Sequence, residues 1–304
     1  MLTNRRLPLP LRERAGVRGL FVCFIIINMN TFFKYEFNSA RNALRVLVRD
    51  FKIKKIHLPF YLCPAVKNAL RLEGCETEFY HIDKNFYPLK DFNADDFVLY
   101  SNYFGICENN VKILAEKYPK LIVDNAHAFY SPFFGFASVN SCRKFFFHSF
   151  GVKDGAVLRV KAPISLSFPK DKEEYPQIIN DFSYTSLLKN EKRVDEFDIM
   201  TISECSRKIL SKIDFEKEKN ERRQRFLELD KKYKEINELH FELSDSEVPF
   251  VYPLLTRDEN LQKELTKNND LILRYWTNLP ETFPEYEFYK YLLPLPLTNL
   301  TNHC

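Results

Sequence analysis

The chain has 304 residues, with 45 basic and 41 acidic side chains, and this near balance gives no indication of a nucleic-acid or membrane surface. A chain of this length can bury a sizeable core, and the length predicts one large domain with a smaller second one. The seven cysteines lack the CxxC spacing of zinc and redox sites, which indicates reduced thiols of a cytosolic protein. The composition therefore indicates a cytosolic protein, and the sequence shows no metal-binding spacing.

The first 28 residues differ in composition from the rest of the chain. Several arginines precede an apolar run at residues 20–27, an order that superficially resembles a signal peptide. Eight apolar residues are too few to span a bilayer, and no small-residue cleavage site follows them. We therefore expect residues 1–28 to be an extension outside the fold, with Met29 as the natural start. A targeting segment and a docking strand are the alternatives.

Strands and helices alternate between residues 37 and 158. Helices are predicted at 41–51, 65–72 and 111–117, and strands at 55–58, 78–83, 97–101, 121–123 and 156–158. Alternation at this spacing predicts an α/β fold with a mostly parallel sheet and right-handed crossovers. We assign residues 29–160 to this large domain.

The pattern changes after residue 158. Residues 161–181 are polar and punctuated by prolines, which predicts a domain boundary. Beyond them, helices are predicted at 183–189, 195–212, 215–238 and 259–267, a strand at 272–276, and apolar runs at 248–255 and 292–296. We assign residues 161–304 to a smaller C-terminal domain.

Residues with chemical potential concentrate at 121–158. An apolar run ends in Asp124, which puts a carboxylate at the carboxyl end of a buried strand, where open α/β sheets bind ligands. Ser141 and Lys144 follow a second short strand, and a turn at 151–155 closes into the next strand. An acid, a histidine and a lysine on adjacent strand ends indicate a cofactor site.

The segments DNAHAF, SCRKFF and GVKDGA resemble the DegT/StrS family of pyridoxal-phosphate (PLP)-dependent sugar aminotransferases. The resemblance covers about residues 35–297 and is strongest at 121–155. It implies a three-layer PLP-transferase fold with a smaller C-terminal α+β domain. It also implies a homodimer that uses PLP to move an amino group from glutamate to a keto-sugar nucleotide in cell-surface polysaccharide or amino-sugar biosynthesis. Family members usually continue into a final helix, so we expect the domain at 161–304 to be truncated.

The resemblance implies a role for each residue of the cofactor site. Asp124 would pair with the pyridinium nitrogen and keep it protonated, which makes the ring an electron sink. His127 would lie against the ring face or its phenolic oxygen, and Ser141 would hydrogen-bond the phosphate. Lys144 would form the Schiff base with the cofactor.

The resemblance also implies two further groups of candidate residues. Ser39, Ala40 and Arg41 lie at a predicted helix N-terminus, and helix N-termini favour anions. They are candidates for holding the phosphate, with an ordinary capped helix as the alternative. Phe60 and Tyr61 follow a proline at a position where the family packs an aromatic residue on the ring.

One departure from the family pattern leaves the function open. Residues 147–150 are inserted between Phe146 and Gly151, where the family has no additional residues. If they are placed before the lysine position instead, His148 takes that position, as in some dehydratases of the family. The spacing from Gly135 to Lys144 favours the lysine, with 147–150 as a loop. Three functions remain: an aminotransferase using Lys144, a dehydratase using His148 as its base, and a non-catalytic relative that keeps the fold.

Overall fold

The computed structural model describes residues 32–170, 184–196, 198–267, 269, 271–276 and 279–298. The predicted extension at 1–28 lies outside the described residues, as do residues 171–181 of the predicted boundary segment.

The larger of two sheets in the described part has seven strands in the order β1-β7-β6-β5-β4-β2-β3. Its strands are β1 Phe33–Phe37, β2 Lys55–Pro59, β3 Glu76–Tyr80, β4 Val98–Ser101, β5 Leu121–Asn125, β6 Ala137–Ser141 and β7 Ala156–Val160. The five strands from β2 to β6 are parallel, whereas β7 is antiparallel to β6 and β1 is antiparallel to β7. The sheet is therefore mostly parallel, as predicted.

The sheet is buried on both faces. Along β5, Ile122 packs into one apolar cluster, and its neighbours Leu121 and Val123 pack into another. Because successive side chains of a strand point to opposite faces, these clusters lie on opposite sides of the sheet. Helices α1 Ala40–Asp50 and α2 Pro64–Leu72 contribute to the first cluster, and α3 Glu108–Lys117 contributes to the second. The predicted three-layer α/β fold is confirmed.

A second, two-stranded sheet lies in the C-terminal part. Its antiparallel strands are β8 Val251–Leu255 and β9 Leu292–Pro296. The helices of this part are α5 Tyr184–Glu196, α6 Glu204–Leu210, α7 Phe215–Tyr233, α8 Glu259–Lys267 and α9 Tyr286–Tyr291. Side chains of α7 and α8 pack with both strands in one apolar cluster. This α+β arrangement agrees with the predicted smaller unit, while the boundary at residue 160 stays a prediction.

Two predicted elements of the C-terminal part are wrong. The helix at 195–212 is interrupted, and only α6 Glu204–Leu210 is helical within its second half. The carboxylate of Asp154 accepts hydrogen bonds from Ser203 N and Oγ at 2.9 and 2.8 Å, and Ser203 caps α6 by accepting from Ser206 N. These contacts hold residue 203 in an extended, non-helical conformation, which ends any helix that approaches it. The strand predicted at 272–276 is irregular, and Trp276 has a φ of 51°.

The predicted loop at 147–150 is also wrong. These residues are the last turn of α4 Cys142–Phe150, which starts directly after β6. Ser141 caps its N-terminus, and Gly151 ends it in the left-handed conformation with a φ of 71°. A serine N-cap and a glycine C-cap are ordinary helix boundaries, so the inserted residues extend a helix.

Candidate active site

A cavity opens at the carboxyl ends of β4, β5 and β6. The predicted site residues that line it are Ser39, Ala40, Arg41, Asp124, His127, Ser141 and Lys144. The strand register explains the convergence, because Ser101 of β4 pairs with Asp124 and the carboxyl ends of parallel strands lie at one edge. The fold thus brings together residues that lie as far apart in sequence as Ser39 and Lys144.

Asp124 is the buried acid of this cavity, 9% exposed. Its Oδ1 accepts a hydrogen bond from Ala126 N at 2.9 Å, and its carbonyl oxygen accepts one from Asn102 N at 3.0 Å. Burial raises the pKa of Asp124 above its usual value, and the contacts with Ala126 N and the charge of Lys144 offset only part of this effect. The burial and the strand-end position are as predicted; contact with a ring nitrogen stays a prediction.

His127 is held between aromatic rings. Its ring stacks on Phe250 at 4.8 Å between centroids and on Trp276 at 5.5 Å, with interplanar angles of 18° and 7°. Burial lowers the pKa of His127 well below its usual value, and the charge of Lys144 lowers it further. Its Nε2 is buried and has no hydrogen-bond partner among the described residues. The site therefore presents a neutral imidazole with hydrogen-bonding capacity left for a ligand.

Lys144 lies in the first turn of α4. Its backbone N–H donates to Ser141 Oγ at 3.1 Å, and its Nζ lies 5.6 Å from the ring centroid of Tyr275. Lys144 lines the same cavity as Asp124 and His127, and its positive charge acts on the pKa values of both. Ser141 uses its oxygen as an acceptor here and keeps its O–H for donation to an anion.

The opposite end of the cavity is basic. Ser39 caps α1 by accepting from Asn42 N, so this helix directs its N-terminus at the cavity. Arg41 Nη2 and Arg143 Nη1 both contact the carboxylate of Glu191, the former at 2.6 Å. Burial alone would raise the pKa of Glu191, but the two arginines and Lys144 lower it overall. The carboxylate is therefore ionised at neutral pH.

Three predicted site residues do not line the cavity. Phe60 packs against Phe79 and His81, with ring centroids at 5.1 and 4.5 Å. Tyr61 is fully buried behind Trp276, with its ring centroid 4.5 Å away, so it supports the wall without forming it.

His148 is the third residue outside the cavity. It is one helical turn beyond Lys144 on α4 and partly exposed. A turn of helix displaces a residue by about 5 Å along the axis, away from the strand ends. The role of His148 as a base stays a prediction without support from the cavity.

Four polar or aromatic residues that also line the cavity were not predicted from the sequence: Asn102, Arg143, Glu191 and Trp276. Arg143 stands inside the SCRK segment next to the predicted lysine, so the sequence contained a signal for it. Trp276 is the only tryptophan of the chain, but it lies far along the sequence from the other site residues. Nothing near Glu191 in the sequence indicates that it approaches the site.

Three further properties belong to the described part of the chain. No group of three or more His, Cys, Asp or Glu side chains there could hold a metal ion. No helix in the same residues is long and apolar enough to cross a membrane. The cysteines that the structure describes, Cys63, Cys75, Cys107, Cys142 and Cys205, are free thiols.

Comparison with known proteins gives matches at the level of structure. No protein-family model matches the sequence, and no curated protein matches it either. Among solved structures, Helicobacter pylori PseC, an aminotransferase of pseudoaminic acid biosynthesis, is similar with a TM-score of 0.56 and 18% identity, over 87% of this chain and 81% of PseC. A DegT/DnrJ/EryC1/StrS aminotransferase of Brucella abortus is similar with a TM-score of 0.54 and 13% identity, over 87% of this chain and 80% of its own.

A third similar structure shows a cofactor form. Spr1654 of Streptococcus pneumoniae, described as a candidate sugar aminotransferase in its PMP form, has a TM-score of 0.57 and 15% identity, over 87% of this chain and 81% of Spr1654. Similarity at this level of identity, with wide coverage of both chains, establishes a shared architecture. The chain therefore has the fold of the DegT/StrS sugar aminotransferases.

Proposed function

We propose that this protein is a PLP-dependent aminotransferase that acts on a keto-sugar nucleotide, with glutamate as amino donor, in amino-sugar or cell-surface polysaccharide biosynthesis. The observation that carries the proposal is the convergence of Asp124, His127 and Lys144 with two arginines in one cavity. We place the protein in the cytoplasm as a homodimer, following the family that it resembles.

The groups that line the cavity fit the chemical features of PLP. A buried carboxylate, Asp124, suits a protonated ring nitrogen, and the amine of Lys144 suits the cofactor carbonyl. Arg41, Arg143 and the N-terminus of α1 suit a phosphate. The unpartnered Nε2 of His127 suits a hydrogen bond to the ring substituents.

When bound, PLP supplies an electron sink that stabilises the negative charge left on a substrate carbon after a proton leaves it. Asp124 would hold the ring nitrogen in the protonated state on which this chemistry depends. Lys144 would carry the proton between the substrate carbon and the carbonyl carbon of the cofactor. The aromatic rings that stack on His127 would shield this part of the cavity from water.

The test compares two single variants of neighbouring residues on the same helix. Wild type, Lys144→Ala and His148→Ala are incubated with PLP, glutamate and a keto-sugar nucleotide, and the amino-sugar product and the visible spectrum are recorded. We expect Lys144→Ala to lose both the Schiff-base absorbance and the product, and His148→Ala to keep both.

The other outcomes separate the alternative functions. Loss of turnover only in His148→Ala would favour the dehydratase. A wild-type protein that binds PLP without a spectral change and forms no product would favour the non-catalytic relative.

A further inference from the structure

The basic end of the cavity contains a carboxylate that the proposed reaction does not use. Glu191, on α5, contacts Arg41 Nη2 through Oε2 at 2.6 Å and Arg143 Nη1 through Oε1. One carboxylate thus bridges two guanidinium groups beside the N-terminus of α1. The same donors would hold a phosphate, since guanidinium binds carboxylate and phosphate with the same paired geometry.

The net charge of the cavity depends strongly on Glu191. Its ionisable lining groups comprise three cations, Arg41, Arg143 and Lys144, and two carboxylates, Asp124 and Glu191. With His127 neutral, three minus two leaves a charge of +1; without Glu191 it is +2. A phosphate monoester carries a charge of about −1.5 to −2 at pH 7, so it matches the cavity without Glu191.

We infer that Glu191 is an internal anion that takes the place of the cofactor phosphate, so that a phosphate group binds Arg41 and Arg143 by displacing it. The identity of the ligand rests on the proposed function. The competition itself is a property of the three side chains and can be measured with inorganic phosphate.

The surroundings of α5 indicate how Glu191 would move. The adjacent Asn190 is fully buried, and its Nδ2 donates to Lys153 O at 2.7 Å. This hydrogen bond anchors the helix next to Glu191. The side chain of Glu191 is about one third exposed, so it can rotate toward solvent while the backbone of α5 stays in place.

The chain offers a matched control for a purely structural role. Glu73 also bridges two arginines, with Oε1 2.8 Å from Arg45 Nε and 2.9 Å from Arg49 Nη2, but it lies outside the cavity. If carboxylates between arginines only stabilise the fold, neutralising Glu73 and Glu191 should have the same consequences. If Glu191 competes with a phosphate, only its neutralisation should change anion binding.

The experiment measures the affinity of the full-length protein for inorganic phosphate. Wild type, Glu191→Gln and Glu73→Gln are titrated by calorimetry and by the fluorescence of Trp276, which lines the same cavity. Charged hydrogen bonds of this kind are worth enough to change a dissociation constant about tenfold, so we expect Glu191→Gln to bind phosphate about tenfold more tightly. Glu73→Gln should match the wild type. Unchanged or weaker binding by Glu191→Gln would overturn the inference.

A second comparison uses PLP and pyridoxal, which lacks the phosphate. Glu191→Gln should raise the affinity for PLP and leave that for pyridoxal unchanged; an equal gain for both would contradict competition at the phosphate. If Glu191→Gln does not fold, Glu191→Asp should show the same direction, because a side chain one methylene shorter weakens the bridge to the two arginines. Tighter phosphate binding by Glu191→Gln, together with no Schiff base on Lys144 in the wild type, would refute the proposed function alone. A Schiff base in the wild type, together with unchanged phosphate affinity in Glu191→Gln, would refute this inference alone.

Discussion

Arg222 connects the two sides of the candidate site through one buried side chain. It is 3% exposed, and its guanidinium lies 4.1 Å from the ring centroid of Phe145. Its Nη2 donates to Phe145 O at 3.1 Å and its Nη1 donates to Phe250 O at 3.2 Å. Phe145 follows Lys144, and Phe250 stacks on His127. We therefore predict that replacing Arg222 by methionine disturbs both walls of the cavity.

The cost of Arg222→Met follows from the groups that it leaves behind. Glu218, only 4% exposed, would lose its ion-pair partner and keep the hydroxyl of Tyr130 at 2.5 Å. Removing one partner of a buried ion pair typically costs about 3–5 kcal/mol. The carbonyls of Phe145 and Phe250 also lose a donor, but these contributions overlap with the first. We expect the free energy of unfolding to fall by about 3–5 kcal/mol.

Urea unfolding at neutral pH measures this loss, with two controls. Arg225→Met removes an exposed arginine of the same helix that pairs with Glu228 at 3.1 Å, and it should cost at most about 1 kcal/mol. The double variant Arg222→Met/Glu218→Leu should recover most of the loss because it removes the uncompensated charge. A loss for Arg222→Met no larger than for Arg225→Met, or a double variant no more stable than the single one, would refute the reasoning.

Three further predictions concern groups in and beside the cavity. Because the pKa of Asp124 is raised in the folded protein, ionising this carboxyl group costs stability as the pH rises above the ordinary pKa of 3.8. Asp124→Asn without cofactor should therefore unfold at pH 7 at the same temperature as the wild type or at a higher one. A lower unfolding temperature would contradict the burial argument. The lowered pKa of His127 means that stability should be lost as pH falls below about 6.5, and NMR should show a neutral ring in the folded protein well below that pH. Gly135 has a φ of 74°, and an added Cβ would lie 2.5 Å from Leu121 O, whereas Gly74 has a φ of 67° and open space around it. Gly74→Ala should therefore lower the free energy of unfolding by roughly 1–2 kcal/mol, and Gly135→Ala should lower it by more. Equal free energies of unfolding for the two variants would contradict this.

Hydrophobic periodicity predicted the fold, and motif spacing predicted the residues at the centre of the site. Short apolar runs that alternate with amphipathic helices predicted the parallel strands, because strand and helix patterns can both be recognised in short stretches of sequence. Asp124 could be placed at a strand end since three apolar residues precede it directly. Lys144 could be favoured over His148 because the distance from Gly135 is fixed by a short strand and one helix cap.

The missed features depend on contacts between distant parts of the chain. Glu191 reaches the cavity only because α5 packs beside it, and no local pattern encodes that approach. Trp276 follows an apolar run that resembles a strand, but its ring packs on His127 and Tyr61, and the segment forms no ladder. The error at 147–150 was avoidable, since Ser141 and Gly151 frame a helix by their types alone.

Borohydride reduction tests most directly whether Lys144 bonds covalently to PLP. Borohydride adds hydride to the C=N bond between lysine and cofactor, which leaves a stable secondary amine that peptide mass spectrometry can locate. We expect one pyridoxyl group per chain on Lys144 in the wild type and in His148→Ala, and none in Lys144→Arg. A label on a different lysine, or no label at all in a protein that binds PLP, would contradict the account.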